Sequence, residues 1–131
     1  MKFKNESQRL KSEWSDLYQN NPELFELMME LDIYAMTSFG KEILITMIFR
    51  TDEEQAYLYR NSERFKEKPF KSPHQFWHAV DIRSRSFTTQ EQKRMVRWIN
   101  RKFNKPNYYK WTSKVHNVGA GDHFHIQFVK K

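Results

Sequence analysis

At 131 residues, with 38% hydrophobic, 16% aromatic and 30% charged side chains, the chain is the size of one domain spanning 1–131, and disorder is not expected. It contains no cysteine, which excludes disulfides and thiolate ligands, so any metal must be held by His and carboxylate. A formal charge of +7 favours an anionic partner, whether nucleic acid, an acidic membrane surface or a cell-wall polymer, and does not choose among them.

The opening segment, MKFKNESQRLKSEW, has no apolar run able to serve as a signal peptide, and no later stretch is long and apolar enough to span a bilayer. The protein is expected to be cytoplasmic as synthesised, monomeric and without a membrane span. From Asn5 to Tyr18, Leu10, Trp14, Leu17 and Tyr18 recur at helical spacing among charges. A second helix follows NNP, with Asn21 as cap, Pro22 at the first helical position and an apolar face of Leu24, Phe25, Leu27, Met28 and Leu31. Residues 1–40 thus read as helical scaffold.

KEILITMIF is β-branched and nearly all apolar, as in a strand buried on both faces. Thr51 and Glu54 then have capping-box spacing, so a short helix begins directly after the strand and Arg50 sits at the corner. NSERFKEKPFKSP, polar and broken by two prolines, reads as a long surface loop, and AVDIR beyond it as a short strand. Thr88 and Glu91 repeat the capping-box spacing ahead of a helix carrying Met95, Val96, Trp98, Ile99 and Phe103. YYKWTSKVHNVGAGDHFHIQFVK reads as antiparallel strands joined by a glycine turn. The order implies an α+β domain, a small antiparallel sheet with helices on one face.

Five histidines fall in two groups, His74 and His78, then His116, His123 and His125. His74 and Asp81, seven apart, would lie ~10 Å apart along a helix, too far to share an ion that each ligand approaches to ~2 Å. Pro73 and the strand-like Ala-Val-Asp-Ile favour a loop folding back onto a strand, a spacing that permits one site. In a regular strand His123 and His125 share a face with Gln127, while Asp122 points the other way unless Gly119 and Gly121 distort the turn.

These residues carry a resemblance. SPHQFWHAVD resembles the S-x-H-x-x-G-x-A-x-D motif of the zinc D-alanyl-D-alanine carboxypeptidases, D-alanyl-D-alanine dipeptidases and phage L-alanyl-D-glutamate endopeptidases. DHFHIQ is similar to the family's second motif, an acidic residue three places before the last zinc-binding His, and FRTDEEQAYLY to its upstream G-Y-R-[ST]-x-x-x-Q segment. The three matches occur in the family's chain order, from Arg50 to Gln127.

The resemblance implies a zinc metallopeptidase, a bacteriophage endolysin-type hydrolase for cell-wall degradation that acts on peptidoglycan stem peptides and reaches the wall on lysis. It implies one zinc ion at the sheet, held by His74, Asp81 and His125, with Asp122 as general base and Arg50 contacting substrate or the developing oxyanion. His123, the alternative general base, would otherwise add a transition-state donor beside the metal, and Ser72 would contact either a zinc ligand or the substrate. Trp77 replaces the motif glycine, so either the turn is rebuilt or the ring walls the substrate cleft; Phe49 stands where the family has Tyr. The positive charge suits anionic wall polymers. The alternatives are a D-alanyl-D-alanine carboxypeptidase or dipeptidase, a catalytically inactive binding or structural protein, and a basic nucleic-acid-binding domain. The last leaves the ordered His/Asp pattern unexplained.

Overall fold

Ser7 Oγ accepts the Leu10 N–H to start helix α1 (Gln8–Asn20), and Asn21 Oδ1 accepts the Leu24 N–H to start α2 (Pro22–Phe39). The structure is a computed structural model describing residues 1–103, 106–117 and 122–131; the side chains of His116, Asn117 and Asp122 lie outside what is described. Helix α2 ends at Gly40 in the left-handed conformation, φ 66°, where lack of a Cβ removes the steric cost.

Among the described residues, five strands form one sheet in the order β1-β2-β3-β5-β4. They are β1 (Lys2–Phe3), β2 (Leu44–Met47), β3 (Ala79–Arg83), β4 (Ser113–Asn117) and β5 (Asp122–Gln127). Four of them are antiparallel neighbours as expected, but β1 pairs in parallel with β2, so the sheet is mixed. Sequence reading missed β1 because two residues carry no periodicity. The N-terminal amine anchors it, 2.6 Å from Glu42 and 3.2 Å from Asp32.

Helix α3 (Asp52–Leu58) starts at Thr51 with the expected capping box, and α5 (Thr89–Lys102) at Thr88 with another. Two expectations between them need correction. The KEILITMIF strand is only Leu44–Met47, its pairing with β3 shifting register between Ile45 and Met47. The supposed loop NSERFKEKPFKSP contains a short helix, α4 (Glu63–Glu67), because Ser62 Oγ caps the Phe65 N–H. The Tyr59, Phe65 and Phe70 rings then pack on one another at 4.8–5.5 Å.

Alternation within the strands divides the two faces of the sheet. Ile45, Val80, Ile82, Phe124 and Ile126 are buried against Leu17, Leu24, Leu27, Met28 and Leu31 of the N-terminal helices and Met95 and Ile99 of α5, forming one core. Fully burying each such side chain contributes ~1.5–3 kcal/mol. Helices therefore cover one face, which turns Asp81, His123, His125 and Gln127 to the other.

Candidate metal centre

In the antiparallel pairing of β3 with β5, Asp81 lies directly opposite His125 and Arg83 opposite His123. Opposed residues share a face with Cβ atoms roughly 4.5–5.5 Å apart, so register alone brings this carboxylate and imidazole together. Asp81 Oδ1 lies 2.9 Å from His125 Nδ1, and Asp81 Oδ2 3.7 Å from His123 Nε2.

His74 arrives from the preceding loop. Pro73–Phe76 is a 3-10 turn with Ser72 as N-cap: Ser72 Oγ accepts the His74 N–H, and the Gln75 side chain accepts the Ser72 N–H. The turn closes at Trp77 with φ 62° and ψ 29°. This left-handed conformation explains why a glycine suits that motif position, and Trp77 holds it at a steric cost of about 1–2 kcal/mol. Its ring stacks on Phe49, centroids 4.7 Å apart, and packs against the core rather than lining the cleft. The turn is thus built with the left-handed backbone that a glycine favours, and the Trp77 ring packs on Phe49.

The folding back places His74 Nε2 3.1 Å from Asp81 Oδ2, with ligand atoms of His74, Asp81 and His125 all within 4.8 Å of one another and all three residues buried. Apart from this ionic contact, His74 Nε2 is a buried nitrogen without a hydrogen-bond partner among the described residues. The other ring nitrogens define the chemistry. His74 Nδ1 meets the Ile48 carbonyl at 3.0 Å, an acceptor only, so Nδ1 donates, and in a neutral imidazole that leaves the lone pair on Nε2. His125 Nε2 meets Gln127 Oε1 at 3.0 Å, and Gln127 Nε2 in turn donates to the Trp111 carbonyl at 3.3 Å.

His125 thus has an acceptor facing each ring nitrogen, Gln127 Oε1 at Nε2 and Asp81 Oδ1 at Nδ1. Two acceptors 2.9 Å apart repel unless a proton or metal cation lies between them. Burial opposes the ionisation of Asp81, yet His74 and His125 hold its carboxyl well below the usual range, so it is an anion here. Two neutral imidazoles and a carboxylate are the donor set of a catalytic zinc site. Zinc bonds of about 2.1 Å put donors ~3.4 Å apart, within reach by small side-chain shifts. The residues fit the ion.

The cluster floors a cleft of about 270 Å³ whose lining includes Arg50, Leu58, Tyr59, Phe70, Lys71 and Trp111. Arg50 sits at the corner between β2 and α3 as expected. It is buried, donating to Gln55 Oε1 at 2.8 Å and contacting Met47 Sδ at 3.3 Å, while Gln55 donates onward to the Phe70 carbonyl. Burial lowers the guanidinium pKa and the Asp81 charge opposes that shift. The nearby Glu54 does not pair with Arg50; it binds Arg9 of α1 at 2.7 Å.

Other residues separate cleanly. Ser72 lines the cleft while holding the turn, and His123 stands beside Asp81. His78 lies apart, bonded to the Tyr109 hydroxyl at 3.0 Å, with burial lowering its pKa. Asp122 begins β5, but its side chain lies outside the described residues, as do that of His116 and all of Gly119 and Gly121. Sequence reading missed Gln127 as a partner of His125; Trp111 is 39% exposed at the cleft rim. The signal for Gln127 was its place two residues after His125 on one strand face. No helix among the described residues is long and apolar enough to cross a membrane.

In comparisons with known proteins, the chain matches no family model, no curated protein and no solved structure.

Proposed function

We propose that the protein is a zinc-dependent peptidase acting on peptidoglycan stem peptides, of the phage endolysin type that cleaves L-alanyl-D-glutamate bonds. The observation that supports this most is the convergence of the His74, Asp81 and His125 ligand atoms on the cleft floor, with each histidine's other nitrogen engaged by an acceptor. Zinc held by these three residues would polarise a carbonyl and make a water acidic enough to ionise near pH 7.

The chain's own residues do the rest. Arg50, a buried cation in the cleft wall, stabilises negative charge developing on the scissile carbonyl oxygen, and His123 donates to the same oxygen. Asp122 takes a proton from the attacking water and returns it to the leaving amine. Ser72 fixes the turn carrying His74, and Lys71 with the wider positive surface favours an anionic substrate strand.

Digestion of purified peptidoglycan, with identification of the new amine termini, tests this function. New termini at D-glutamate are expected; termini at D-alanine would move the assignment to a D-alanyl-D-alanine carboxypeptidase or dipeptidase. No new termini from zinc-loaded protein would contradict a peptidase.

A further inference from the structure

We infer that the outer face of α2 and α5, on the side of the sheet away from the cleft, docks the protein on a bilayer surface containing anionic lipid. The residues concerned lie outside the metal centre, so the inference stands apart from the peptidase reading. Helix α2 leaves an apolar stripe in solvent: Met29, Ile33 and Met36 are 42%, 62% and 49% exposed, while Leu24, Leu27, Met28, Leu31 and Ala35 of the same helix fill the core. Their i, i+4, i+7 spacing sets the three along one line of the helix, so they form a patch rather than scattered single residues.

Helix α5 lies beside this stripe. Lys102 reaches Glu30 at 3.6 Å, Trp98 stacks on Tyr34 at 4.8 Å and Arg94 sits over the Phe39 ring at 5.0 Å, so the two helices run antiparallel with their outer faces side by side. The outer face of α5 is basic. Lys93, Arg97 and Arg101 recur every fourth residue and are exposed, as is Arg94, which gives a line of positive charge ~12 Å long. Among the described residues no acid pairs with any of these four. The acids nearby are largely neutralised: Lys102 holds Glu30, and Lys41 holds Glu91 at 2.7 Å. Glu23 and Glu26, at the start of α2, carry no ion pair among the described residues, and the four cations outweigh them.

An apolar stripe beside a cationic ridge matches the two layers of an anionic bilayer surface, with Arg and Lys at the phosphates and Met and Ile among the upper acyl carbons. A nucleic acid or an anionic wall polymer would meet the ridge but offers nothing apolar to the stripe. The rings between the helices, Tyr34 and Trp98, stack on each other rather than standing free for a base. Docking here also leaves the cleft, on the opposite face of the sheet, open to substrate.

Co-sedimentation with vesicles tests this, comparing pure phosphatidylcholine with an equal mixture of phosphatidylcholine and phosphatidylglycerol, at low salt and at about 0.5 M NaCl. Wild type, with or without zinc, is expected to partition onto the mixed vesicles, to ignore the neutral ones and to be released by salt. The triple variant Lys93→Gln, Arg97→Gln, Arg101→Gln should partition about a hundredfold more weakly, about fivefold per charge. Met29→Ser, Ile33→Ser, Met36→Ser should lose about tenfold while keeping the salt dependence. A control triple that removes the same charge from exposed lysines elsewhere, Lys4→Gln, Lys68→Gln, Lys110→Gln, should lose less than about threefold. All these positions are exposed, and circular dichroism checks that each variant folds. Failure of wild type to bind the mixed vesicles would overturn the inference, as would equal loss in the two charge triples, which would assign binding to net charge rather than to this face. Capture by a single-stranded oligonucleotide that depends on the α5 cations, without vesicle binding, would overturn it in favour of a nucleic-acid ridge.

Discussion

Asp81 and His125 face each other across β3 and β5, Oδ1 to Nδ1 at 2.9 Å, as direct partners in the strand register rather than through any loop closure. Two-thirds of the proposed ligand set is therefore as rigid as the sheet, while His74 is delivered by a turn. Asp81→Asn keeps the shape and removes the charge, so zinc affinity should fall by more than about a hundredfold, beyond the 10–100-fold range for groups that only orient ligands. Calorimetric zinc titration measures this, with circular dichroism checking the fold.

Trp77 sets backbone strain against packing. Trp77→Ala removes the stacking on Phe49 but keeps a Cβ at φ 62°, whereas Trp77→Gly removes both ring and strain. Both variants should be less stable than wild type, by about 1–3 kcal/mol, and Trp77→Gly should exceed Trp77→Ala by about 1 kcal/mol. Urea unfolding gives the order; equal stabilities would show that the left-handed conformation carries no cost.

Glu54 links α3 to α1. The hydrogen bond from Arg9 is the main cause that pushes its pKa from 4.5 down to about 2, against partial burial. A depressed folded-state pKa means that the unfolded chain binds more protons between these values, so the contribution is complete above about pH 4.5 and is lost as pH falls through about 2. Glu54→Gln keeps the capping-box geometry without the charge. It should be less stable at pH 7 by about 0.5–1 kcal/mol, as for a partly exposed pair, with the gap closing near pH 2. Thermal unfolding across this range tests it, and a constant gap would contradict it.

Trp111 and Phe70 bring half-exposed rings to the cleft lining, 39% and 37% exposed. Trp111→Ala should weaken substrate binding, raising KM about tenfold, while losing less stability than a core Trp→Ala at 3–5 kcal/mol. Steady-state digestion of a soluble stem peptide separates KM from kcat. A fall in kcat alone would place Trp111 in the chemistry instead of the binding wall.

Much of this organisation was legible in the residues themselves. The caps at Asn21, Thr51 and Thr88 were visible because capping is local, a side chain bonding the backbone three residues on. The strand AVDIR and the shared face of His123, His125 and Gln127 followed from period-two alternation. Helix α4 was hidden because its stability comes from an aromatic cluster that gathers Tyr59 and Phe70 from outside it. Trp77 showed its conformation only through the backbone: a Trp there gives no composition signal for a positive φ. The Gln127 amide was equally hidden, since its orientation depends on a carbonyl 16 residues away.

The most direct test of the central claim is the zinc content per chain after dialysis against trace zinc, measured by mass spectrometry in wild type and in the His74→Ala and His125→Ala variants. One zinc per wild-type chain and almost none in either variant is the expected result. A wild-type protein that retains no zinc, or variants that retain as much as wild type, would contradict a metal centre at His74, Asp81 and His125.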